Sequence, residues 1–216
     1  MLNDLRDLLA GIYDVPVPHD LAEFLLTDRR DLPEEHRDTD TDEQVLVAAD
    51  GDTLHLGVYL DPSVLERLDS ANPFDALHHG NIGDWWTALE GVSHFVYLAW
   101  NGAHDRPVTL LELELQAEID KYVASLWLLR EQNPERFPVE LHPALFDRAR
   151  VDPELAGDRV DLYHCANRYA ARFCRRLARG FHPRSTAAHD ETVAELRRFY
   201  RLNREPKMRH IERVAG

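Results

Sequence analysis

The run LEGVSHFVYLAW, residues 89–100, sets Glu90 and His94 into an otherwise apolar stretch. Four residues apart on a helix, a carboxylate and an imidazole share one face and lie one turn from each other. They offer an oxygen and a nitrogen ligand to one metal ion, or a base and a proton carrier to one substrate. In the catalytic role Glu90 is the general base and His94 the proton shuttle or ligand. A second pair of carboxylates with the same spacing follows, Glu114 and Glu118, and then His164, Arg168 and Arg172 at four-residue steps.

Carboxylates and imidazoles projecting between helices are how di-iron and di-manganese bundles hold their metals. Those sites use Glu-x-x-His on two helices. This chain has Glu-x-x-x-His once, which points to a mononuclear site or a small-anion pocket. The expected ligands of a divalent metal are Glu90, His94 and Glu118. Glu114, Glu118, His164, Arg168 and Arg172 are the expected binding residues.

Such a site needs helices to position it. At about 100° per residue, Thr87, Glu90, His94, Tyr97 and Asn101 form one narrow stripe on a helix from about Asp84 to Asn101. The stripe carries no Lys, Arg or Asp beyond the first turn, so it should face an interior or a cleft. A second helix starts near Pro107 and runs to about Gln132. It has two polar stripes. Glu112, Gln116, Asp120 and Arg130 should face water; Glu114, Glu118, Lys121 and Ser125 should face inward. A third helix over 159–180 places Asp161, His164, Arg168, Arg172, Arg175, Arg176 and Arg179 on one side.

Three functions follow from these faces. In the main reading, Glu90, Glu114 and Glu118 pair with Arg168 and Arg172. A buried Glu/His/Arg network then fixes helix register in a non-enzymatic interaction or accessory protein. The alternative is a metal- or anion-dependent enzyme with a site built from Glu90, His94, Glu114 and Glu118. The third is binding of nucleic acid or an acidic partner through the basic segment 159–213.

Charge bears on the third. The chain of 216 residues carries a net charge of −14. Residues 1–158 hold 33 acids and 11 bases, while residues 159–216 hold 6 and 14. Within 197–210, arginines alternate with Phe199 and Tyr200, as in a strand-binding surface. But Val193, Leu196, Phe199, Tyr200 and Asn203 share a helical face, so the aromatics belong to a core. The overall negative charge also repels nucleic acid. A protein partner or self-association fits this surface better. Lys121 and Lys207 are the only lysines.

The remaining elements are shorter. Leu2, Leu5, Leu8, Leu9 and Ile12 predict a helix over 1–13, and HDLAEFLLTDRR predicts another. Residues 31–44 read as an acidic loop. Asp38, Asp40 and Asp42 open like a calcium loop, but Glu43 stands at the turn-glycine position and Ala49 at the bidentate glutamate. Two apolar runs around Asp50-Gly51 predict an antiparallel hairpin, and Asp61-Pro62 a helix start. A short element is expected around ALFDRARVDPEL, a fourth long helix over 187–203, and a tail beyond it.

The predicted fold is mainly α: a bundle-like multi-helix body over 81–216, with residues 1–80, including the hairpin, packed on it as one domain. Cys165 and Cys174, nine residues apart on a helix, cannot form a disulfide. No apolar run is long enough for a membrane span, and the acidic N-terminus is unlike a signal peptide; a cytoplasmic location is expected. Walker, G-x-G-x-x-G, G-x-S-x-G and H-E-x-x-H motifs are absent. His78-His79 reads as an inert surface pair.

Overall fold

Thr109 starts the helix that carries Glu114 and Glu118. Its hydroxyl accepts from the Glu112 amide at 3.3 Å, and Glu112 Oε2 accepts from the Thr109 amide at 3.0 Å. This capping box satisfies two N–H groups that a helix start leaves without partners. The computed structural model describes residues 1–37, 39–51, 53–147, 157–182 and 186–214. The chain is mainly helical, with a small mixed sheet near the N-terminus. It divides into two compact units, residues 1–11 with 15–107, and residues 12–14 with 108–216.

The first unit holds most of α1 (Leu2–Tyr13), β1 (Leu25–Leu26), the single-turn α2 (Glu34–Arg37), β2 (Glu43–Asp50), β3 (Thr53–Leu60), α3 (Pro62–Ser70) and α4 (Ile82–Gly102). β2 and β3 form the expected antiparallel hairpin, and Gly51 takes the positive φ of 57° its turn requires. β1 adds a third strand, parallel to β3. Asp61 caps α3 by accepting from the Ser63 amide at 2.9 Å, with Pro62 in the first turn.

HDLAEFLLTDRR is not a helix. Asp20 and Asp28 each accept from the amide two residues on, which closes 3-10 turns at Leu21–Glu23 and Arg29–Asp31. Local side-chain bonds of this kind compete with helix formation. The Leu25–Leu26 backbone between the turns joins the sheet instead. Of the calcium-loop residues, Asp38 lies outside the described residues.

The second unit holds α5 (Leu110–Gln132), α6 (Leu141–Phe146), α7 (Gly157–Phe181), α8 (Thr186–Tyr200) and α9 (Arg204–Val214). α6 covers only the start of the element expected around ALFDRARVDPEL; residues 148–156 lie outside the described residues. α7 is amphipathic as predicted. It buries Ala166, Ala170, Phe173, Cys174 and Leu177, and exposes the whole arginine side. Both cysteines are free. Among the described residues, no helix is long and apolar enough to cross a membrane.

Two expectations fail together. The stripe of Glu112, Gln116 and Asp120 does not face water: all three are buried, as are Glu114, Lys121 and Ser125 on the other side of α5. The segment beyond residue 203 is not a tail but a helix, and Lys207 on it is completely buried. The two facts explain each other. Lys207 Nζ donates to Gln116 Oε1 at 2.7 Å, and Gln116 Nε2 donates to Asp120 Oδ1 at 2.7 Å and to the Tyr13 hydroxyl at 3.2 Å. Tyr13 in turn donates to Asp120. The Lys207 ammonium also lies over the rings of Phe199 and Tyr200, 5.1 and 5.8 Å from their centroids. Burial, then the Asp120 charge, holds the Tyr13 hydroxyl well above its ordinary pKa, so it remains a donor.

Replacing Lys207 with Met removes the buried cation that Gln116 links to Asp120. The expected loss is about 3–5 kcal/mol, read as a lower urea midpoint. Adding Asp120→Asn to Lys207→Met should recover part of it, because the opposite buried charge is gone; additive losses would show that Lys207 and Asp120 are not coupled.

Candidate functional site

α4 presents its polar stripe inward, as its composition predicted. His94, Tyr97 and Asn101 are buried and Glu90 is half-buried. Asn101 donates to the Tyr97 carbonyl at 2.8 Å. The rest of the helix around Glu90 and His94 is apolar: Ala88, Leu89, Val92, Phe95 and Val96 are fully buried. Phe95 meets Phe24, their ring centroids 4.8 Å apart.

The sheet brings a further acid to this stripe. Glu43 opens β2, and its Oε1 lies 3.6 Å from His94 Nδ1. This is longer than an N–H···O hydrogen bond. Both side chains are shielded, with 4% of His94 and 13% of Glu43 accessible.

Gly91 makes the approach possible. A Cβ there would stand 2.9 Å from Val58 Cγ1 and 3.1 Å from Glu43 Cγ and Oε1. At Gly91, α4 therefore packs directly on the Val58 and Glu43 side chains of the sheet, which occupy the space a Cβ would need.

The other predicted residues sit in the second unit. Glu114 is buried on α5. Glu118 is bound by Lys121, whose Nζ donates to its Oε1 at 2.7 Å. His164, Arg168 and Arg172 are exposed on α7, and Arg168 lies over the Tyr169 ring. The buried pairing of Glu114 and Glu118 with Arg168 and Arg172 is therefore not formed. The reason is the apolar side of α7, which takes the interior and turns the arginine side to solvent. The Glu118 charge has a nearer partner one turn along its own helix. Phe199 and Tyr200 are fully buried, so neither ring is available to stack on a base. His78 and His79 are exposed, and His78 Nδ1 accepts from the Gly80 amide at 3.0 Å.

Compared with family models, with curated proteins and with solved structures, the chain matches none.

Sequence reasoning noticed Glu43 only as the residue that spoils a calcium loop. Two signals could have found it. It is in phase with Val45, which pairs with the buried Val58 across the hairpin, so it points to the same face of the sheet. And Gly91 interrupts a run of bulky residues in α4, a mark of close approach by another backbone or side chain.

Gly91→Ala should push the Glu43 side chain from His94 and cost about 1–3 kcal/mol in urea unfolding. Glu43→Ala in the same chain should relieve part of that cost. A double variant whose loss is the simple sum of the two would show that Glu43 does not fill the space beside Gly91.

Proposed function

We propose that the protein binds a divalent metal ion in its first unit, through Glu90 and His94 one turn apart on α4. The observation that supports this reading is His94, a buried imidazole one turn from Glu90 with the Glu43 carboxylate beside its Nδ1. Metal-binding histidines are typically oriented by a carboxylate or carbonyl at the other ring nitrogen. In this reading Glu43 has that part, and Nε2 faces the ion.

The donor set is one imidazole and one carboxylate. Such a set favours Mn2+, Fe2+ or Zn2+ over a soft ion such as Cu+. A divalent cation also offsets the cost of holding carboxylate charge away from water. Two protein ligands leave coordination positions for water or a substrate, as catalytic rather than structural zinc sites do.

The test is metal content. Protein purified without a tag is stripped with a chelator, reloaded anaerobically with Mn2+, Fe2+ or Zn2+, and measured by elemental analysis. The expected value is about one ion per chain. Glu90→Gln with His94→Ala should lose it while keeping its circular dichroism. Glu43→Gln should weaken binding about 10–100-fold. A chain that takes up no ion under any loading, or folded variants that bind as the native chain does, would overturn the assignment and leave these residues a purely structural role.

A further inference from the structure

We propose that the second unit binds a small aromatic monocarboxylate in a cavity beside Arg130, at a site separate from the metal ligands. The cavity has a volume of about 220 Å3. α5 lines it with Val123, Leu126 and Trp127, three residues on one helix face. Phe181 at the end of α7 and His189 on α8 complete the wall. The His189 ring is tilted against both aromatics, with its centroid 5.4 Å from that of Phe181 and 6.0 Å from that of Trp127.

An apolar wall alone names no ligand; Arg130 does. It lies one turn beyond Leu126 and is half-buried. Its Nη1 donates to the Phe181 carbonyl at 2.8 Å, which fixes the guanidinium at the cavity edge. That bond uses one of five N–H donors, and the planar fork of the others matches a carboxylate. Size limits the apolar part. A dry cavity of roughly 150 Å3 takes up benzene, so the volume here admits one ring together with its carboxylate. Glu131, exposed at the rim, is the acid among the lining residues. It repels a second negative charge, which favours a monoanion over a dianion.

The probes are benzoate, benzyl alcohol and acetate, titrated into the full chain by calorimetry and by saturation-transfer NMR. Benzoate should bind saturably. Benzyl alcohol keeps the ring without the charge, and acetate keeps the charge without the ring; each should bind about tenfold or more weakly. Arg130→Met should bring benzoate down to benzyl alcohol. Arg130→Lys should fall between, since it keeps the charge but not the fork. The Glu90→Gln, His94→Ala double variant should bind benzoate as the native chain does, which separates this site from the metal ligands. Three results would overturn the proposal: no saturable benzoate binding, benzyl alcohol or acetate binding as tightly as benzoate, or undiminished binding by folded Arg130→Met. If Arg130→Met does not fold, the comparison of the three probes on the native chain decides.

Discussion

An ammonium with no exposed surface is the constraint around which the second unit is built. Lys207 can be buried only if its charge is answered. The answer runs through a relay. The Gln116 amide turns its oxygen to Lys207 and its N–H to Asp120, so its dipole lies between cation and anion with both ends favourable. Tyr13 closes the chain on Asp120. Three separate stretches are thereby held in one register: the last turn of α1, the middle of α5, and α9. The relay also accounts for the membership of residues 12–14, which belong with 108–216 although the rest of α1 does not.

The arginines nearby act on backbone carbonyls. Arg197 donates to the Ile12 carbonyl at 3.0 Å, and Arg201 to the carbonyls of Tyr13 and Asp14 at 3.0 and 2.7 Å. These are carbonyls at the end of α1 that have no partner within the helix, and a cation there also meets the negative end of the dipole. Asp14, at φ 54°, turns the chain just beyond. Arg130 does the same for Phe181 at the end of α7. The excess of base over acid in the last quarter of the chain thus has a structural use. Part of it terminates helices, and part, on α7, remains in water.

Periodicity made much of this legible. α4 and α5 fall close to where their apolar patterns place them, and the inward stripe of α4, the cap at Asp61 and the hairpin at Gly51 follow from residue chemistry alone. Periodicity states which residues share a face; it does not state what covers that face. Glu112, Gln116 and Asp120 look like a solvated stripe until a lysine from a segment rich in charge is folded against them. The same gap hid Glu43. Helical spacing on α4 identifies Glu90 and His94, but an acid delivered by a strand appears only when the closeness allowed by Gly91 is known. The arginine side of α7 shows the converse: its regular ladder suggested partners for the buried acids, yet the opposite face of the same helix was the better candidate for burial.

The choice of base follows the same physics. The two lysines of the chain, Lys121 and Lys207, are both buried, while every exposed base is arginine or histidine. A guanidinium brings five donors in a fixed plane, and inside a protein each needs an acceptor. An ammonium is a compact point charge at the end of an apolar stem. One strong acceptor and the faces of two rings go far toward satisfying it. Lys207 has the Gln116 oxygen with Phe199 and Tyr200, and Lys121 has the Glu118 carboxylate. Arginine at either position would bring five donors in one plane into a space shaped around a single ammonium.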